Sequence, residues 1–383
     1  MQDAGCRGQD AILCLLPFAS CLLLLAFCSL LPANCFLPGT VRPTVKIGLV
    51  APFEGRYRYV GYDVVYAVRL ALREANAAGG VGAYSVELVA YDDGADPAMA
   101  AEQARKLAAD PEVVAAIGHF REETTGAALS AYAEADIPLV APAVLDRAFT
   151  WGEAEVYRLG PVGDALAHAL LYHVKRERVV ALVSDGGPLG AALVEAAPQQ
   201  RMRVSAVVSP DTADWLGEVL SSGADVVICD ASPVTAGEVA AALRDAGWAG
   251  VFLGGPELAA TDFVAVAGKA AEGAVFVTPW PLPAYILGSA DFVAAYQEVS
   301  GGAPPGPLAL PAYEATWVLL EALERDIAAH GAPTREGVAA ALPPTEREGL
   351  LGHITFDTGR NWGDAPLYWY RIGTEGTAQR TIE

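Results

Sequence analysis

From Val45 onward, short apolar runs alternate with longer amphipathic stretches, and this alternation constrains the fold more than any other feature of the sequence. Short continuous apolar runs are typical of strands buried on both faces, whereas apolar residues spaced three and four apart predict helices. The segment 60–78 has the clearest helical spacing, with Val64 and Val68 on one face. The chain is therefore predicted to alternate between strand and helix.

The order of these segments predicts the fold class. Strands are predicted at residues 45–51, 86–91, 113–117, 139–141, 179–184, 204–208, 226–229, 251–253, 352–357 and 367–372. Helices are predicted at 60–78, 97–109, 124–135, 191–197, 213–220, 236–246, 290–299 and 313–329, with Pro-rich breaks at 279–283 and 303–311. Helix following strand implies right-handed crossovers and mostly parallel sheets covered by helices on both faces. So many strands need two sheets, so we predict an α/β fold with two Rossmann-like lobes.

The first 43 residues form a leader of different composition. Residues 11–31 are almost wholly apolar, and as a helix they would extend about 32 Å, enough to cross a bilayer. The start is less basic than that of an ordinary signal peptide, and Cys35 stands where a lipoprotein signal would place its modified cysteine. Three outcomes stay open: lipid attachment at Cys35, an uncleaved anchor, or secretion. Each places the rest of the chain outside the cytoplasm.

Cysteines and charges are unevenly distributed between leader and body. Five of the six cysteines lie in the leader and only Cys229 lies beyond it, so the body cannot contain an internal disulfide. The charges before residue 44 cancel, so the body carries the whole net charge of −21. Binding to a phosphate backbone requires a positive surface. We therefore expect no nucleic acid among the partners.

Motifs for catalysis are missing from the sequence. Bulky and charged residues at 52–61 follow the first strand and would obstruct a pyrophosphate, and the turn at 184–190 lacks the spacing of a dinucleotide fingerprint. The sequence contains no P-loop, no zinc-type cysteine or histidine spacing and no nucleophile elbow. We predict that the protein is not an enzyme and expect neither a cofactor nor a metal.

Candidate binding residues follow the predicted strands. Parallel sheets place their ligand crevices at the carboxyl ends of their strands, so side chains that follow several strands are expected to meet there. Such positions, together with a tryptophan that could present a π face, give nine candidate ligand-binding residues: Tyr59, His119, Arg121, Glu122, Thr124, Ala143, Leu145, Glu257 and Trp280.

The same regions resemble a known family. Segments at 45–48, 75–81, 91–97, 117–119, 133–138, 252–257 and 271–273 are similar, in the same order, to the type I periplasmic binding proteins, and in particular to the leucine/branched-chain amino-acid-binding receptors of ABC transporters. The resemblance extends over nearly all of residues 45–360. It implies two lobes joined by three chain crossings, near 158–161, 279–283 and 364–368.

The resemblance also implies a domain organisation and a function. The leader would occupy residues 1–43, the first lobe 44–159 and 284–365, and the second lobe 160–283 and 366–383. A small solute would bind between the lobes, close them by bending the hinge, and be passed to an ABC permease in the membrane. The receptor would act as a monomer and carry out no catalysis.

The ligand residues of the family carry over in part. Glu257 matches the acid that pairs with the ligand ammonium. Arg121 and Glu122 stand where the family has small hydroxyl residues, Leu145 replaces a further hydroxyl, and Leu189 and Ala231 stand at aromatic positions.

The charges suggest what the ligand could be. Glu122 and Glu257 facing each other across a cleft would favour a cationic or amine-bearing ligand, because unpaired buried carboxylates are costly. Tyr59, Phe120 and Trp280 could offer such a cation a π face. The alternative is a mixed pocket in which Arg121 neutralises Glu122.

Two further functions stay open at the level of sequence. A sensory domain of the same fold would signal to a kinase or regulator, with an amide-type negative regulator as a variant. A Rossmann-type enzyme would bind a nucleotide instead.

Overall fold

The computed structural model describes residues 42–161, 163–174, 178–363 and 365–381. The expectations for the leader, which concern its membrane insertion and Cys35, lie outside the described residues. Within them, no helix is both long enough and apolar enough to cross a membrane. Cys229 is buried and its thiol is free.

The first sheet contains five parallel strands in the order β2-β1-β3-β4-β5. Its strands are β1 Thr44–Ala51, β2 Ser85–Asp92, β3 Val113–Gly118, β4 Leu139–Ala141 and β5 Val156–Arg158. The helices that connect them are α1 Arg58–Ala77, α2 Pro97–Ala109 and α3 Glu122–Glu134. Leu49 and Val50 of β1 are both fully buried, but they belong to separate apolar cores on opposite faces of the sheet. Helices on both faces thus explain the continuous apolar runs.

The second sheet repeats this construction. Its parallel strands are β6 Val179–Ser184, β7 Arg203–Val208, β8 Val226–Asp230, β9 Val251–Gly254 and β10 Val275–Thr278. The helices are α4 Gly163–His173, α5 Pro188–Gln199, α6 Trp215–Ser221, α7 Pro233–Asp245 and α8 Thr261–Ala267. Val227 and Ile228 of β8 again lie in cores on opposite faces.

The C-terminal part of the chain packs a helix against the first sheet and adds two strands to the second. The helices α9 Ala290–Ser300, α10 Ala309–His330 and α11 Arg335–Ala341 are followed by an antiparallel hairpin, β11 Glu346–Gly349 and β12 Gly352–Thr355. Helix α10 packs against α1 in the core of the first sheet. The last strands, β13 Tyr368–Ile372 and β14 Ala378–Arg380, are antiparallel and complete a seven-stranded second sheet, ordered β14-β13-β10-β9-β8-β6-β7.

The predicted fold class, α/β with two Rossmann-like lobes, is confirmed. One predicted boundary is wrong, because the Pro-rich break at 303–311 ends earlier than expected. Helix α10 begins at Ala309 and contains Pro311 in its first turn. Proline is tolerated there because the first turn has no intrahelical acceptor for its missing N–H. The predicted residue boundaries between the two lobes stay a prediction.

The chain crosses between the sheets after β5, after β10 and before β13. Hydrogen bonds join the three crossings, because Trp280 Nε1 donates to the carbonyl of Leu159 at 2.7 Å and Trp362 N donates to that of Arg158 at 2.9 Å. Residue 364, at the start of the third predicted crossing, lies outside the described residues.

Arg158 is the polar centre of these crossings and is 0% exposed. Its guanidinium donates to the carbonyls of Val144 (2.9 Å), Leu145 (2.8 Å) and Pro161 (2.9 Å), and to Asn361 Oδ1 (2.6 Å). A buried cation is tolerated only when it is fully hydrogen-bonded, and all four acceptors come from loops.

Replacing Arg158 with Met should lower the free energy of unfolding by about 3 kcal/mol or more, because three carbonyls, two of them buried, and one amide lose their donor. Urea unfolding followed by circular dichroism measures the change. The control is Arg69→Met on the exposed face of α1, for which a change within about 0.5 kcal/mol is expected. A loss for Arg158→Met as small as that of the control would contradict this role.

Candidate ligand-binding site

A cavity of about 90 Å³ lies between the carboxyl ends of the two sheets. The loops after β1, β3 and β4 form one wall, and those after β6, β8 and β9 form the other. Both sheets are parallel where they reach the cavity, so each strand delivers the residues that follow it to this edge. The cavity has room for a small solute, since a single water needs about 10–15 Å³.

Seven of the nine predicted residues line this cavity. They come from both walls and from the second crossing, and they are Tyr59, Arg121, Glu122, Ala143, Leu145, Glu257 and Trp280. Their contact with a ligand stays a prediction. The other two, His119 and Thr124, do not line the cavity.

His119 lies behind the wall and is 0% exposed. Its Nδ1 is 2.8 Å from Asp93 Oδ2 and its Nε2 is 3.1 Å from the Tyr132 hydroxyl. Thr124 is also buried, and its Oγ1 donates to the carbonyl of Arg121 at 3.2 Å. Both residues thus support the loop after β3 from beneath. Sequence reasoning placed them in the site because they flank residues that do reach it.

Arg121 is the cation of the cavity. Its guanidinium carbon lies 3.8 Å from the centre of the Tyr57 ring, and Nη2 is 3.4 Å from Glu123 Oε2. Glu122 has a different partner, because its Oε1 accepts a hydrogen bond from Leu145 N at 2.9 Å. The mixed-pocket alternative paired Arg121 with Glu122. In the structure the ion pair of Arg121 is with Glu123 instead.

Three carboxylates form the opposite wall: Asp185, Asp230 and Glu257. Asp185 directly follows β6, Asp230 is the last residue of β8, and Glu257 lies in the short 3₁₀ helix after β9. Asp230 Oδ2 accepts from Gly190 N at 2.7 Å and from Ser184 Oγ at 3.1 Å, which fixes it at the start of α5. Sequence reasoning interpreted the segment with Asp185 as an ordinary turn, although its position after a strand was the available signal.

Burial changes the protonation of these acids. Burial, together with the nearby negative charge of Asp230, raises the pKa of Glu257 to about 8. Burial likewise raises the pKa of Asp230 to about 6, against the hydrogen bond from Gly190. The pKa of Glu122 is raised for the same reason, and the Leu145 N–H opposes the shift. A bound cation would offset the cost of ionising such groups.

A hydrogen bond between side chains spans the cavity. The Tyr57 hydroxyl, from the first lobe, donates to Asp185 Oδ2 in the second lobe at 3.5 Å. The remaining lining is largely apolar and includes Val60, Phe120, Leu189 and Leu308. Among the described residues, no group of three or more histidine, cysteine, aspartate or glutamate side chains is arranged to hold a metal ion.

The fold, with two lobes and a cavity between them, defines a protein of the bilobal solute-binding class. Residues 44–377 match the periplasmic binding protein family, and the chain belongs to that family.

Two curated relatives cover most of the chain. A Leu/Ile/Val-binding protein homolog of Brucella abortus is 24% identical over 356 residues, covering 88% of this chain and 93% of its own length. A leucine-, isoleucine-, valine-, threonine- and alanine-binding protein of Pseudomonas aeruginosa is 23% identical over 350 residues, covering 86% of this chain and 91% of its own.

Solved structures share the fold. A leucine-binding protein of Thermotoga maritima has a TM-score of 0.79 at 22% identity and covers 88% of this chain and 98% of its own. A branched-chain amino acid transporter substrate-binding protein of Streptococcus pneumoniae, in complex with isoleucine, has a TM-score of 0.78 at 21% identity, with coverage of 88% and 99%.

The raised pKa of Glu257 predicts how stability depends on pH. Between the ordinary pKa of 4.5 and the folded pKa of about 8, the folded state keeps a proton that the unfolded chain has lost. The stability that this proton confers is therefore lost as pH rises through this window. Glu257→Gln removes the ionisation, so without ligand the variant should be more stable than the parent at pH 9 by at least about 1.4 kcal/mol, the equivalent of one pKa unit.

Urea unfolding at pH 4 and pH 9 measures this difference, which should be small at pH 4, where both side chains are neutral. The exposed Glu195→Gln on α5 serves as the control and should show no such gain. Equal stability of parent and Glu257→Gln at pH 9 would contradict the raised pKa.

Proposed function

We propose that this chain is the extracytoplasmic solute-binding receptor of an ABC importer and that it binds a small, amino-acid-like or amine solute in the cavity between its lobes. The observation that carries the proposal is the pairing of opposite charges on opposite walls. Arg121 enters the cavity from the first lobe and Glu257 from the second. A zwitterionic solute presents complementary charges to both.

The two ends of the solute have separate partners in this proposal. The guanidinium of Arg121 binds the carboxylate, because its planar donors match two carboxylate oxygens. Glu257 accepts from the ammonium. The relatives whose names state that they bind leucine, isoleucine, valine, threonine or alanine support an amino-acid-like ligand. Neutralisation of Glu257 by the ammonium also gives the buried carboxylate the charged partner that it lacks without ligand.

Closure of the lobes follows from where these groups lie. A solute that contacts both walls interacts fully only when the lobes are together, so it stabilises the closed form by differential contacts. The hydrogen bond from Tyr57 to Asp185 is of the same kind, since it joins one wall of the cavity to the other. Closure would also remove the ligand from water and strengthen its ion pairs.

The proposed transport role joins the receptor to the membrane. The apolar leader would export the chain and keep it near its permease by a lipid or an anchor, which raises its local concentration there. The receptor would work as a monomer, with one solute for each pair of lobes.

Binding is tested with the body of the chain from residue 44 onward in a thermal-shift screen of amino acids, amines and amides, followed by calorimetry on the hits. Arg121→Gln and Glu257→Gln should each weaken binding of an amino-acid ligand at least about tenfold, since each removes a charged partner in a desolvated site. Glu195→Gln should bind as the parent does.

The screen also includes NAD and ATP, which a Rossmann-type enzyme would bind. Stabilisation by a nucleotide and by no amine or amino acid would overturn the proposed function. Full affinity in both cavity variants would overturn the assignment of Arg121 and Glu257.

A further inference from the structure

The three acids of the second wall are neighbours in the sheet. Strands β9, β8 and β6 are adjacent, with Ser184 paired with Asp230 and Cys229 paired with Gly254. Adjacent strands lie about 4.8 Å apart, so the residues that follow them meet at one edge. Asp185, Asp230 and Glu257 thus form one continuous acidic wall.

Arg121 does not balance this wall. Among the residues that the structure describes, one guanidinium and five acids line the cavity, and the acids are Glu122, Glu123, Asp185, Asp230 and Glu257. Two of the five acids already have partners on the first lobe. Glu123 forms an ion pair with Arg121, and its side chain is 46% exposed. Glu122 accepts a hydrogen bond from Leu145 N. The excess of acidic groups over the guanidinium therefore belongs to the second wall.

The carboxylates of the second wall have only some of the hydrogen-bond donors that they could accept from. Asp230 has two donors at the start of α5, and Asp185 has the long contact of 3.5 Å from Tyr57. Within the described part of the chain, no side chain donates to Glu257, which accepts from its own backbone N–H. Buried carboxylates without cationic partners are costly, and the second wall leaves more than one in this condition.

We propose that the solute carries two cationic nitrogen groups joined by an aliphatic stem, and that the second group binds against Asp185 and Asp230. This inference rests on the proposed function, which already assigns the first cationic group to Glu257. An amino acid with a neutral side chain would satisfy Glu257 and leave the other two acids unpaired. A second cationic group removes that imbalance.

The stem of such a solute also has suitable surroundings. Val60, Phe120, Leu189 and Leu308 line the same cavity, and methylene groups between two charges pack well on apolar side chains. Dibasic amino acids and simple diamines share this chemistry. Only the dibasic amino acids have a carboxylate for Arg121, so the two sources can be separated by experiment.

Calorimetry at pH 7.5 with the chain from residue 44 onward compares three sets of solutes. L-ornithine, L-lysine and L-arginine are dibasic amino acids, putrescine is a diamine, and L-leucine and L-glutamine have neutral side chains. At least one doubly cationic solute should bind at least about tenfold tighter than either neutral amino acid. Binding of putrescine would identify a diamine receptor, and binding of the dibasic amino acids alone would identify an amino-acid receptor.

Asp185→Asn is the decisive variant. Asp230 is buried and Asp185 is not, so the substitution at Asp185 is expected to disturb the fold less. It should weaken binding of the doubly cationic solute about tenfold and change that of any neutral amino acid less than about twofold. The control is Asp245→Asn at the exposed end of α7, which should change neither. Asp230→Asn should act in the same direction as Asp185→Asn, and circular dichroism establishes that it is folded.

The outcomes separate the two proposals. Tighter binding of leucine or glutamine than of every doubly cationic solute would overturn this inference and leave the proposed function standing. Unchanged affinity in Asp185→Asn would overturn the location of the second cation. Failure of every solute in the screen to bind would overturn both proposals.

Discussion

The structure depends on one buried cation. Arg158 ends the last strand of the first sheet, and its guanidinium binds the loop after β4, the first crossing and Asn361 before the third. A guanidinium has rigid, directional donors, so it fixes these segments relative to one another where no regular secondary structure does. Because Leu145 also lines the cavity, Arg158 fixes both the chain crossings and part of the cavity wall.

The cavity combines charge with an apolar lining, and the two are linked physically. Apolar side chains lower the local dielectric, so every unpaired carboxylate on the second wall costs more than it would in water. The raised pKa values of Glu257 and Asp230 express that cost. A wall of this kind is selective by repulsion as well as attraction, since a ligand that brings a further negative charge towards it meets three acids.

The sequence predicted the fold well because parallel strands leave a strong local signal. β1 and β8 are continuous apolar runs, and Asp96 with Pro97 marks the start of α2. The three-residue strand β5 was missed because so short a run has no period of its own. In the site, Arg121 and Glu257 follow strands and reach the cavity, whereas His119 also follows one and faces the interior. Sequence order fixes which loop a residue is in, but packing decides which way its side chain points.

Trp280 gives the molecule an internal optical reporter. Its ring lines the cavity while its indole N–H donates to the carbonyl of Leu159 in the first crossing, so this side chain contacts both the cavity and the crossing. Indole emission responds to local polarity and to hydrogen bonding, and a change in either region would alter it. A ligand in the cavity or a movement of the crossings would therefore be expected to alter the emission of Trp280, which is one of seven tryptophans in the chain.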